Sequence, residues 1–175
     1  MIRPARNSDY KVCDILDLAQ SDFLYNLFDT KNQEDKMKVF YEFFGNKKSR
    51  FALGNIFLYE IDNVVVAACC AYGSKSYTDE AICEYLASKN SDFEVIKEFS
   101  DGEFYIDSIA ILEDFRGRGI LRAMLSYAEN KAINQDYKKL SLITKTPEYY
   151  ESFGFLVVDD FLFNNEVYKK MLKEI

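Results

Sequence analysis

Arg116-Gly117-Arg118-Gly119 follows an apolar run over 104–112 that reads as a strand, and it precedes residues 120–132, whose apolar positions recur at helical spacing. That placement decides how the four residues are read. Glycine lets backbone N–H groups come close to a ligand, and a helix starting just after the loop offers unpaired N–H donors and the positive end of its dipole. A strand, a glycine-containing turn and a helix N-terminus in succession make an expected anion site, one that a pyrophosphate would fit. An isolated Arg-x-x-Gly equally describes a solvated basic turn that caps a helix, so the rest of the chain must discriminate.

Two further stretches stand in order around it. Tyr150-Glu151-Ser152-Phe153-Gly154-Phe155 follows a strand expected over 139–144, and Ile2-Arg3-Pro4-Ala5 with Ser8-Asp9 reads as an opening strand and a helix cap. Together with the strand, Arg-x-x-Gly and helix unit, these resemble the GCN5-related N-acetyltransferases (GNAT) over most of the chain. The resemblance implies acetyl-CoA as co-substrate and no metal. It implies that the backbone of Arg116, Gly117, Arg118, Gly119, Ile120 and Leu121 cradles the pyrophosphate. It also implies that the backbone of Ile109, Ala110 and Ile111 meets the thioester carbonyl and the pantetheine arm, and that Tyr150 stands where the family has its catalytic Tyr. The chain departs from the family in having Leu121 where Gly or Ala is usual, and in having no Asn between Leu140 and Tyr150.

Composition narrows the chemistry independently. With 175 residues and 49% hydrophobic content, one domain over 1–175 is expected to bury a sizeable core. No apolar run approaches the roughly 20 residues that span a bilayer, and the first residues lack a signal-peptide pattern, so no membrane partner and a cytoplasmic location are expected. The four cysteines, Cys13, Cys69, Cys70 and Cys83, show no metal-ligand spacing and are expected as mostly buried thiols. The absence of histidine removes Ser–His and Cys–His pairs, His-based metal sites and an imidazole base. A net charge of −7 argues against nucleic acid and suits a cationic amine, while serving solubility equally well.

Along the chain, Ser8 is expected to cap a helix carrying Val12, Ile15, Leu16 and Ala19. Thr30-x-x-Gln33 makes a capping box before Met37, Phe40, Phe43 and Phe44, and Gly45 stops that helix. Strands over 55–61 and 64–72 meet at Asp62-Asn63, a two-residue hairpin signal. Between Tyr77 and Ser100, caps at Thr78 and at Ser91-x-x-Glu94 predict a helical insertion with Ile82, Tyr85 and Leu86 and then Phe93, Ile96 and Phe99. Its Tyr77 and Tyr85 either face a ligand or pack on the sheet. A strand over 103–112, a helix to about 132, a strand over 139–144, a short helix over 147–152 and a hairpin turning at Asn164-Asn165 complete the chain. The whole predicts a three-layer α/β/α sandwich around a mixed, mostly antiparallel sheet.

Acetyl transfer from a thioester to an amine needs a deprotonated amine, a polarised carbonyl and a proton for the departing thiolate. A phenol, with an ordinary pKa of about 10, is protonated at neutral pH and can supply that proton, which is the role expected of Tyr150, with Tyr149 beside it as the alternative. Asp107 interrupts an apolar strand, and period two places Glu103, Tyr105, Asp107 and Ile109 on one face. Partial burial raises a carboxylate's affinity for protons, so Asp107 and Glu103 are candidates for the base; Asp107 paired to an Arg or a backbone N–H is the structural alternative. The sequence thus predicts transfer of an acetyl group from acetyl-CoA to a small-molecule or peptide amine by direct attack in a ternary complex. A CoA-binding or ligand-sensing module without catalysis is the alternative, and a homodimer is the default assembly.

Overall fold

A computed structural model of the chain describes residues 1–20 and 22–175. In order the elements are β1 (Ile2–Pro4), a 3-10 turn (Asn7–Val12), α1 (Cys13–Gln20), α2 (Phe23–Leu27), α3 (Gln33–Phe43), β2 (Ile56–Ile61), β3 (Val64–Gly73), α4 (Glu80–Ser88), β4 (Glu103–Ile111), α5 (Ile120–Asn134), β5 (Lys139–Thr144), α6 (Glu148–Glu151), β6 (Leu156–Phe163) and β7 (Glu166–Glu174). The strands form a mixed seven-stranded sheet in the order β1-β2-β3-β4-β5-β7-β6. Strands β4 and β5 pair in parallel, and the β1–β2, β2–β3, β5–β7 and β6–β7 pairs are antiparallel. The mixed sheet predicted from sequence is therefore present. Among the described residues no helix is long and apolar enough to cross a membrane.

The chain interleaves two compact units. One comprises Met1–Cys70, Tyr77–Ile96 and Ser108–Ile120, and the other Ala71–Ser76, Lys97–Asp107 and Leu121–Ile175. In the first, Phe40 and Phe51 pack at 4.7 Å between ring centroids, with Phe28 at 5.6 Å from Phe40. Arg50 is buried there with Asp79, to which it donates through Nε at 2.9 Å and Nη2 at 2.7 Å. Such a pair is retained only when well bonded, and the Arg50 backbone N–H and the Tyr77 hydroxyl both add donors to Asp79.

In the second unit, Tyr137 closes over Gly73. A Cβ built at Gly73 would lie 2.2 Å from the Tyr137 hydroxyl and 2.3 Å from its ring, and that hydroxyl accepts the Lys75 N–H at 2.9 Å. Gly73→Ala is therefore expected to cost about 1–3 kcal/mol, read as a lower urea midpoint. Because the clash is with one side chain, combining it with Tyr137→Ala should cost less than the two single losses added.

Several elements differ from expectation. The helix predicted from Ser8 opens as a 3-10 turn with Arg6 at its N-cap, and Ala19 is exposed. The α3 cap is Asn32, whose side chain accepts the Asp35 N–H, rather than Thr30; Thr30 is already engaged, donating its N–H to the Tyr25 carbonyl as α2 ends. The predicted second helix of the 77–100 insertion is absent, since only α4 forms and residues 91–98 adopt no regular structure. The Ser91 hydroxyl instead accepts the N–H two residues on, from Phe93, a local turn that competes with helix.

Candidate active site

The loop between β4 and α5 is built by a 3-10 turn (Glu113–Phe115) and then by two glycines in the left-handed region, Gly117 at φ +73° and Gly119 at φ +78°. Residues with a Cβ rarely hold that conformation, which explains why glycine stands at both positions. Arg116 donates its N–H to the Glu113 carbonyl. From Gly117 to Ile120, among the described residues, no backbone N–H is engaged by a loop carbonyl or a side chain. A Cβ at either glycine would meet no protein atom within 4 Å, so the loop's outer side is open. Both guanidiniums turn back onto the chain: Arg116 Nε donates to the Ile111 carbonyl at 3.2 Å and Arg118 Nη2 to the Asp114 carbonyl at 2.9 Å. The arrangement fits an anion held by backbone amides at a helix N-terminus, with the arginine side chains secondary.

The β4–β5 pairing runs from Glu103↔Lys139 to Ile106↔Leu142, after which β4 continues to Ile111 without a β5 partner. Ile109, Ala110 and Ile111 lie on that continuation.

Glu103 and Asp107 share a face of β4 but have different surroundings. Glu103 is buried; its Oε2 accepts the Ser100 N–H at 3.0 Å and lies 3.3 Å from Lys170 Nζ. Asp107 is half-buried and its Oδ1 accepts the Tyr72 hydroxyl at 2.9 Å. The sequence alternatives for Asp107 were an Arg or a backbone N–H, and a phenol 35 residues away was not foreseen.

Tyr150 stands in the first turn-length of a helix end whose hydrogen bonds explain the Tyr-x-x-x-Gly-Phe spacing. Phe155 donates its N–H to the Tyr150 carbonyl and Gly154 to that of Glu151, while Gly154 sits at φ +88°. This is a Schellman closure, and its usual apolar contact is made by the Tyr150 and Phe155 rings, edge to face at 6.1 Å. The spacing therefore fixes one ring against buried Phe155, whereas Tyr149 is 62% exposed. Arg122, in the first turn of α5, places its guanidinium 5.1 Å from the Phe153 ring in the same closure.

Tyr77 and Tyr85 serve the fold, the first donating to Asp79 at 2.7 Å and the second to the Phe28 carbonyl at 3.1 Å. Burial pushes the Cys13 and Cys83 thiols above their ordinary range, and Cys69 and Cys70 are fully buried. A thiolate nucleophile is correspondingly disfavoured.

A model of the acetyltransferase (GNAT) family matches residues 14–155. The chain belongs to this family. No curated protein matches it significantly. Among solved structures similar to this GNAT chain, an acetyltransferase has a TM-score of 0.77 at 23% identity, covering 99% of this chain and 98% of its own. An N-acetyltransferase from Staphylococcus aureus Mu50 has a TM-score of 0.74 at 20% identity, covering 98% and 99%. A GNAT family acetyltransferase from Elizabethkingia anophelis, solved with acetyl-CoA bound, has a TM-score of 0.59 at 19% identity, covering 100% and 97%. At these identities the likeness is one of fold.

Proposed function

We propose that this chain is a cytoplasmic N-acetyltransferase that moves an acetyl group from acetyl-CoA to a primary amine by direct attack in a ternary complex. The observation that carries this reading is the run of unengaged N–H groups from Gly117 to Ile120, held by two left-handed glycines at the start of α5. Membership of the family supports an acyl-CoA donor, and the acetyl-CoA bound to the Elizabethkingia protein supports acetyl as the group carried.

The reaction has three demands and the chain has a group for each. The ammonium must lose a proton before its nitrogen can attack, and Asp107, half-buried on β4, is the base route that the surroundings favour. Glu103 stands second, because its Oε2 already serves Ser100 and Lys170. As the new C–N bond forms and the C–S bond breaks, the electron pair departs on sulfur, and Tyr150 supplies the proton that neutralises the thiolate. The carbonyl is polarised by a β4 backbone N–H from Ile109, Ala110 or Ile111. Cys13 and Cys83, with thiols pushed up by burial, support direct attack over an acyl-cysteine route.

Thiol release from acetyl-CoA across a panel of polyamines, amino acids, aminoglycosides and peptide N-termini tests the proposal. Release with at least one amine supports it, whereas CoA binding without release from any would make the chain a ligand-sensing module. With an active amine, Asp107→Asn is expected to lower turnover roughly 10²-fold. If both Asp107→Asn and Glu103→Gln keep the parent turnover, the amine arrives already neutral and no protein base is used.

A further inference from the structure

We propose that Tyr72 is a positioning residue that holds the Asp107 carboxylate in its working orientation. The proposal rests on the reading of Asp107 as the base route and adds to it the group that sets its geometry. A strand carboxylate has two side-chain torsions to fix, and the Tyr72 hydroxyl, 2.9 Å from Oδ1, selects one arrangement.

The phenol itself is locked. Tyr72 is 1% exposed, its ring lies edge-on to Phe99 at 5.7 Å and tilted at 5.9 Å from Tyr105, and Phe99 stacks on Tyr105 at 5.3 Å. The next residue, Gly73, is covered by Tyr137, which also accepts the Lys75 N–H, so the chain just after Tyr72 is pinned. A phenylalanine at 72 would fill the same aromatic cluster equally well. The hydroxyl adds nothing to that packing and costs desolvation unless it is bonded. Its hydrogen bond reaches the half-buried carboxylate of this β4 face, while Glu103, four residues earlier on the face, is tied to Ser100 and Lys170. The geometry is that of a fixed donor orienting a carboxylate from a rigid support, as a site group held by its neighbours requires.

The test is a double-mutant cycle of Tyr72→Phe and Asp107→Asn, with acetyl-CoA and the amine that gives the fastest thiol release in the panel. Calorimetric CoA affinity and far-UV dichroism check that the cluster still packs. Tyr72→Phe is expected to lower kcat about tenfold with KM for acetyl-CoA unchanged, and to add nothing further on the Asp107→Asn background. A Tyr72→Phe enzyme with parent kcat, or a tenfold loss repeated in full on the Asp107→Asn background, overturns the positioning role while leaving Asp107 as base. An Asp107→Asn enzyme with parent kcat, or no thiol release with any amine, overturns the underlying reading instead.

Discussion

Gly119→Val is expected to lower coenzyme A affinity about 100-fold or more, measured by calorimetry, while leaving the far-UV spectrum nearly unchanged. Two effects combine. Gly119 holds φ +78°, where a β-branched residue is a steric outlier, so the loop must either relax out of its cradle shape or keep the strain. The added side chain also occupies the open side of the loop, since an added Cβ there meets no protein atom within 4 Å and would be met only by a ligand. The same openness keeps the substitution from damaging the fold. Gly54→Ala is the control, because its Cβ also enters open space but from an ordinary backbone conformation, and its affinity should match the parent. Arg116→Ala and Arg118→Ala should weaken binding only several-fold, because both guanidiniums donate to the chain's own carbonyls and the proposed cradle is made of backbone amides. Undiminished affinity in Gly119→Val would remove the pyrophosphate cradle from the proposal.

The parts of this fold that were legible in the sequence are those fixed by local chemistry. The hairpin turns at Asp62-Asn63 and Asn164-Asn165 have all four residues at positive φ, as two-residue hairpin loops with this composition require. Strand β5 spans the predicted 139–144, and the Arg-x-x-Gly loop lies between a strand and a helix as read. Helix ends were harder because glycine is not the only residue that closes them. Asp29, Asn90 and Asp136 each take the left-handed position after α2, α4 and α5, and the residue following each donates its N–H back to Tyr25, Leu86 and Ala132. Asp and Asn enter that region with little penalty, but in a sequence they also signal caps and turns, so the end after Leu27 was not anticipated.

Long-range contacts account for the rest. The helical spacing of Phe93, Ile96 and Phe99 suggested a second insertion helix, yet Phe99 is committed to the Tyr72 and Tyr105 rings and the segment before it is irregular. A tertiary contact of that kind overrides local periodicity without leaving a local signal. The candidate site follows the same division. Its loop and its Tyr-x-x-x-Gly-Phe closure are local motifs and were legible, whereas the partners of its carboxylates were not. Period two placed Glu103 and Asp107 on one face, but nothing in the spacing reveals that one meets Lys170 and the other Tyr72.

Tyr150→Phe is expected to reduce turnover by roughly 10²–10⁴ while changing acetyl-CoA affinity little, because it removes only the hydroxyl that we propose protonates the departing thiolate. The fold should survive the change. The Schellman closure depends on backbone groups of Tyr150, Glu151, Gly154 and Phe155 and on the Tyr150 ring against Phe155, all of which phenylalanine retains. Tyr149→Phe is the internal control, since that side chain is exposed and outside the closure, and it should turn over like the parent. Both variants are followed by thiol release at saturating acetyl-CoA, so that a loss reports the chemical step rather than donor binding. A large loss at 149 with none at 150 would mean that the ring packed on Phe155 is structural and the exposed phenol does the chemistry. No loss at either would mean that the thiolate leaves unprotonated or takes its proton from water, and catalysis would then rest on the Gly117–Ile120 amides and the β4 backbone alone.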